Sequence, residues 1–149
     1  MLKTNLLSIV IISGLLSACG FHVPKNNTAV NASITGDVNS AFASEFKKHL
    51  DVNSAPSLRV NIGAEVQNTR STAYKNNGDT SSYMLTLSVP IKVIRGQELL
   101  LSKNLTATTT LKEMELSQAN TLQTTHGFAQ LRKTVASKLL RILTQLNAN

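Results

Sequence analysis

The chain has one thiol, Cys19, and it directly follows Leu16-Ser17-Ala18. A nucleophile behind two small residues suits acyl transfer: Ser17 and Ala18 fit a signal peptidase, and the Cys19 sulfur takes up diacylglycerol. Upstream lie Lys3 and the apolar run from Leu6 to Leu16. That run falls short of the about 20 apolar residues a bilayer span needs. A charged start, a short greasy centre and small residues before the cut form the layout of a secretory signal. Residues 1–18 are therefore expected to be a lipoprotein signal peptide, residues 19–29 a lipidated tether, and residues 30–149 a single domain. Buried acyl methylenes contribute about 0.8 kcal/mol each, so several chains on Cys19 give lasting anchorage. Gly20 stands where an aspartate would signal inner-membrane retention. The expected location is the periplasmic side of the outer membrane, through a lipid anchor at Cys19.

Other reactive residues are scattered. His22, His49 and His126 lack metal-ligand spacing, and no second cysteine exists to complete a zinc site. No Gly-x-Ser-x-Gly elbow and no glycine-rich phosphate loop is present. Glu113 and Glu115 are too close in sequence to read as an acid/base pair. The expectation is a protein that is not an enzyme, with no cofactor and no metal.

Fifteen Lys and Arg face eight Asp and Glu, a net charge of +7 that drops to +6 when Lys3 leaves with the signal. A basic periplasmic protein can meet anionic headgroups, anionic glycolipids or nucleic acid. Nucleic acid is excluded by the compartment and by an aromatic content of 4% without a basic-aromatic platform. An acylated Cys19 leaves no thiol for disulfides, so the fold must stand on its hydrophobic core.

The elements that must carry these groups follow from periodicity. Val30, Ala32 and Ile34 alternate as a short first strand, broken by Thr35-Gly36-Asp37. Asp37 or Asn39 is placed to cap a helix to about Leu50, with Phe42, Phe46 and Leu50 on one face. Leu58, Val60, Ile62, Ala64 and Val66 alternate with Arg59, Asn61, Glu65 and Gln67, predicting a strand with one buried and one wet face. Residues 68–82 read as a tongue with about a dozen polar residues and turn chemistry at Asn77-Gly78. A third strand points Leu85, Leu87, Val89, Ile91 and Val93 inward. Pro90 on its outward face implies an edge or a bulge. A threonine-rich fourth strand runs from about Leu99 to Leu111. From Ser117 to Leu146 the period is helical, with Phe128, Leu131, Val135, Leu139, Ile142 and Leu146 as one stripe. Gly127 allows a start as late as Phe128. The predicted fold class is α+β, in the order β-α-β-β-β-α: two helices packed on one face of a mostly antiparallel four-stranded sheet.

Lys47, Lys48, Arg132 and Lys133 read as solvated helix faces. Arg59 and Lys92 fall on the sheet face away from the helices, and Lys75 sits in the tongue, so these are the candidate ligand-binding cations. That face also carries Asn61, Glu65, Gln67, Thr86 and Ser88, polar enough for water or a hydrated lumen.

Several short motifs carry a resemblance in order and spacing. Cys19-Gly20-Phe21-His22-Val23 resembles the Cys-Gly-aromatic-His-Leu start of the LptE family of lipopolysaccharide-assembly lipoproteins. Pro56-Ser57-Leu58-Arg59-Val60 resembles the opening of that family's second strand. Tyr74-Lys75-Asn76-Asn77-Gly78, followed by Tyr83, resembles its aromatic-basic-Asn-Gly loop and the tyrosine opening its third strand. The element order matches over the whole mature chain. The resemblance implies a lipoprotein seated in the lumen of the outer-membrane β-barrel LptD, helping that barrel to assemble and delivering lipopolysaccharide to the outer leaflet. It places a lipopolysaccharide-binding role on Lys75, with Asn76 beside it. A second basic position of the family falls near uncharged Asn120, which departs from a two-point phosphate clamp. The alternative is a generic outer-membrane scaffold that binds another protein through its polar sheet face.

Overall fold

The computed structural model describes residues 30–51 and 55–147. Cys19, His22, the signal and the tether lie outside them. The elements are β1 (Ala32–Gly36), α1 (Ala41–Lys47), β2 (Leu58–Ile62), β3 (Val66–Tyr74), β4 (Thr80–Arg95), β5 (Glu98–Lys112) and α2 (Ser117–Asn147). The α+β class and the two helices on a mostly antiparallel sheet are as the periodicity predicted. The strand count is five rather than four.

The extra strand arises from a break. β5 pairs with β4 along nearly its whole length, from Ser82↔Lys112 to Arg95↔Glu98. The other edge of β4 is shared: β2 takes Ile91 to Ile94, and β3 takes Thr80 to Ser88. The predicted single strand Leu58–Gln67 is thus two strands laid end to end, separated by Gly63-Ala64-Glu65. Opposite the gap stands Pro90, which has no N–H to donate; its carbonyl accepts from Gly63 N at 2.8 Å. A Cβ on Gly63 would meet the Pro90 ring at 2.9 Å, so glycine alone fits the close approach. The expected irregularity at Pro90 is real, but it falls on the central strand, not on an edge.

The break ends the alternation. Leu58, Val60 and Ile62 are buried, whereas Ala64 and Val66 are exposed, contrary to the predicted inward set. Glu65 turns to the helix side instead of the wet face. The polar tongue is also corrected: most of it is β3 and the start of β4, an extended hairpin closed by the five residues 75–79. Its Ser and Thr residues suit strand, and composition alone mistook them for loop.

β1 joins β2 in parallel, Ala32↔Leu58 to Gly36↔Ile62, through a crossover that contains α1. Gly36 adopts φ +85° and lets Asp37 N donate to Ile62 O at 2.8 Å. The cap of α1 is Ser40, not Asp37 or Asn39: its Oγ accepts from Ala43 N at 3.1 Å and donates to Asp37 O at 2.9 Å. Phe42 and Phe46 stack with centroids 6.2 Å apart, both fully buried. The helix ends at Lys47, earlier than expected.

α2 begins at Ser117 and runs through Gly127. That glycine is buried, and a Cβ there would lie 2.6 Å from Leu85 Cδ1. Its absence lets the helix settle onto the sheet. Phe128, Leu131, Val135, Ala136, Leu139 and Leu143 are buried, while Ile142 and Leu146 are only partly so. After Leu139 the stripe steps four residues to Leu143 rather than three to Ile142. Together with Leu85, Leu87, Val89, Ile91 and Val93 these side chains form the core between helices and sheet. Among the described residues no helix is long and apolar enough to cross a membrane.

Candidate functional site

Cross-strand partners share a sheet face, so the register defines the side away from the helices. Across it lie Asn61, Lys92 and Ser102 in one row, then Gly63, Pro90 and Asn104, then Val66, Ser88 and Thr106. Farther out come Asn68, Thr86 and Thr108, then Arg70, Met84 and Thr110, then Ser82 beside Lys112. The surface is dominated by short hydroxyl side chains with cations at its margins. Where Gly63 contributes no side chain, the face dips into a depression of about 440 Å³ lined by Asn61, Pro90, Lys92, Ser102 and Asn104 among others.

The predicted ligand residues separate into two groups. Arg59 pairs with Ile94 and Asn61 with Lys92, so Arg59 and Lys92 are diagonal neighbours, with Cβ atoms about 7 Å apart. Both are exposed. Lys75 and Asn76 sit at the hairpin tip, on the far side of the twelve strand steps between Thr80 and Lys92, roughly 40 Å at 3.3 Å per residue. One small anionic group cannot touch both sets.

The tip is a tight, self-bonded turn. Lys75 N donates to Asp79 O at 2.7 Å and Gly78 N to Lys75 O at 2.9 Å, with Gly78 at φ +87°. Asn77 Nδ2 donates to Asp79 Oδ2 at 2.6 Å, and Asp79 N donates back to Asn77 Oδ1 at 3.2 Å. Lys75 and Asn76 stay exposed, their side chains without a hydrogen bond among the described residues. The loop thus presents one ammonium beside one carboxylate.

Asn120 is committed elsewhere. Its Oδ1 accepts from Met114 N at 2.7 Å and its Nδ2 donates to Met114 O at 2.9 Å, tying the β5–α2 connection to the helix. A groove of about 460 Å³ runs between this part of α2 and the β3–β4 hairpin, lined by Thr69, Tyr83, Glu113, Thr121 and Thr124 among others. Its only charged lining residue is Glu113, so a phosphate clamp does not form there.

Two cations of the open face escaped the sequence reading. Arg70 and Lys112 point the same way as Lys92, both exposed; Arg70 lies in a stretch whose composition resembles a loop, and the register of Lys112 depends on distant pairing. Conversely, Arg132 is not a freely solvated helix residue. Its Nη2 lies 2.7 Å from Glu65 Oε1 and its Nε 3.0 Å from Oε2, with side-chain exposures of 17% and 9%. Burial pushes the Glu65 carboxyl up, but hydrogen bonds from Arg132, Gln67 and the Phe42 N–H, with the Arg132 charge, hold it below the usual carboxylate range. His49, in the turn after α1, and His126, on α2, are both exposed. No group of three His, Cys, Asp or Glu side chains converges among the described residues.

This two-layer architecture, a long antiparallel hairpin extended by a parallel β-α-β unit and covered by one long helix, is a fold seen in bacterial lipoproteins. The crystal structure of rare lipoprotein B from Shewanella oneidensis superposes with a TM-score of 0.68 at 11% identity, over 79% of this chain and 96% of that one. The solution structure of an uncharacterized lipoprotein B from Nitrosomonas europaea gives 0.65 at 14% identity, over 80% and 85%. A minor lipoprotein from Acinetobacter baumannii gives 0.61 at 13% identity, over 80% and 95%. At the level of the fold, this matches what the resemblance to the LptE family implied. No family model matches the sequence, and neither does a curated relative.

Proposed function

We propose that this protein is an outer-membrane lipoprotein that plugs and helps assemble the LptD β-barrel and assists delivery of lipopolysaccharide to the outer leaflet. The observation that carries the reading is the fold shared with rare lipoprotein B over nearly the whole of that chain. The motifs around Cys19, Arg59 and Lys75 agree with it in order. It is a binding and assembly role, not a catalytic one.

Geometry gives the proposal a direction. The chain enters the domain at Val30, beside Leu50 and next to the start of β2. That end also holds the β4–β5 turn and the C-terminus of α2, where the Arg95 guanidinium donates to Leu146 O. The Lys75 hairpin occupies the opposite end of β4, a strand about 50 Å long. A tether from Cys19 therefore joins the domain at the end opposite Lys75. Detergent extraction of the native protein from outer membranes tests the proposal. A stable complex with a large β-barrel and saturable binding of lipopolysaccharide are expected; recovery without a barrel would overturn it.

A further inference from the structure

The charges are partitioned between the two faces of the sheet. All eight carboxylates lie among the described residues, and none is on the open face. Glu65 turns to α2, and Glu98 shares a side with Arg95, which reaches the same helix. Glu113 lines the groove beside α2, Glu45 is on α1, and the others are in turns and connections. Both ion pairs seen among the described residues, Glu65–Arg132 and Glu45–Lys48, are on the helix side. The open face keeps Arg59, Arg70, Lys92 and Lys112, all exposed and without an ion pair or side-chain hydrogen bond among the described residues.

We infer that this face is a docking surface for a protein wall that sets carboxylates opposite Arg59, Arg70, Lys92 and Lys112 and meets the hydroxyl rows with amides and hydroxyls. Charge complementarity is the first reason: four cations with no counterion attract an acidic partner and reject a basic one. Extent is the second. A strip about 50 Å by 15 Å has a footprint of roughly 750 Å², near the ~800 Å² per partner of a specific interface. Texture is the third, and it separates a protein from a lipid surface. Short Ser and Thr side chains lose little rotamer freedom on docking and offer donors and acceptors in fixed rows, which a rigid wall can match and fluid headgroups cannot. The depression over Gly63 and Pro90 is a socket for one partner side chain, with Lys92 at its rim. The inference deepens the proposed function by giving the chemistry of the partner's contact, but the docking itself does not depend on that partner being LptD.

The test is site-specific photo-crosslinking of the full lipidated chain in its own membrane, with the probe at Thr86 or Thr108 on the open face and at Ser137 or Thr134 on exposed α2. The expected result is protein adducts from the sheet positions, on partner peptides rich in Asp and Glu, with little from the helix. A double variant, Arg70→Glu with Lys112→Glu, should then lose about tenfold in adduct yield at low salt and less at high salt, while its circular dichroism stays that of the parent. Adducts confined to lipid, to a second copy of this chain or to the helix positions would overturn the inference. So would sheet adducts indifferent to the charge reversal. Equal loss of binding to phosphatidylglycerol vesicles with unchanged protein adducts would assign the cations to the membrane and also overturn it. A barrel partner reached only from the helix side would leave the proposed function standing and remove this one; acidic adducts on a protein other than a barrel would do the reverse.

Discussion

Arg132, on the long helix, grips Glu65 at the gap between β2 and β3, with Nη2–Oε1 at 2.7 Å and Nε–Oε2 at 3.0 Å. The same carboxylate accepts from Gln67 Nε2 at 2.6 Å. One side chain at a sheet break therefore ties the long helix to the sheet. A bidentate guanidinium is needed for this, and lysine would not reproduce it.

The pH dependence of stability follows. The Glu65 carboxyl is lowered in the folded state, so its contribution is present above its unfolded pKa, about 4.3, and is lost as pH falls through the lower folded value. Glu65→Gln should flatten the acid limb of the stability curve below about pH 4.5 and lower stability at pH 7. Arg132→Met, which leaves the largely enclosed carboxylate without its cation, should cost about 1–3 kcal/mol at pH 7. Urea titrations across pH 3–7 would check both; parallel acid limbs for parent and Glu65→Gln would show that the pair contributes nothing.

Gly127→Ala sets two effects against each other. Alanine favours a helix interior by up to about 1 kcal/mol over glycine. At this position, however, its Cβ would press within 2.6 Å of Leu85 Cδ1 and 3.3 Å of Leu111 Cδ1, and Leu85 is fully buried. Overpacking should win, giving a net loss of about 1–2 kcal/mol in thermal unfolding. A raised melting temperature would mean that Leu85 can move aside.

Leu87 is fully exposed to neighbours and not at all to solvent, at the centre of β4 under α2. Leu87→Ala should cost about 2–5 kcal/mol by transfer and cavity terms together. Chemical denaturation provides the measurement.

Lys75→Glu should leave stability within about 0.5 kcal/mol, because the side chain is exposed and makes no hydrogen bond or ion pair among the described residues. If the tip meets a lipid A phosphate, binding of lipopolysaccharide should weaken, more at low ionic strength than at high. Equal binding by parent and variant at low salt would remove Lys75 from the site.

Cys19→Ala should abolish acylation and free the domain from the membrane. Partial function should survive if docking supplies most of the holding energy, since the tether then mainly raises local concentration. Mass spectrometry of the membrane-bound protein checks the anchor directly.

Periodicity by itself determined where both helices and the strands β1, β2, β4 and β5 lie to within a few residues, and which side of β4 is buried. Leu85, Leu87, Val89, Ile91 and Val93 alternate in sequence and are all at most 1% exposed in the fold. Those are local properties, written in spacings of two and of three to four residues. Tertiary pairing decided the rest. The Leu58–Val66 alternation looked unbroken, but Pro90, some thirty residues away, has no N–H at the point where the strand would have continued. The chain therefore breaks at Gly63, and Glu65 passes to the helix side. Arg70 and Lys112 joined Lys92 on one face only because β3 and β5 register on opposite edges of the same strand. A cation's neighbours across a sheet depend on pairing between distant segments, which no local spacing encodes; that is why the core along β4 was legible in the sequence and the acid-free face was not.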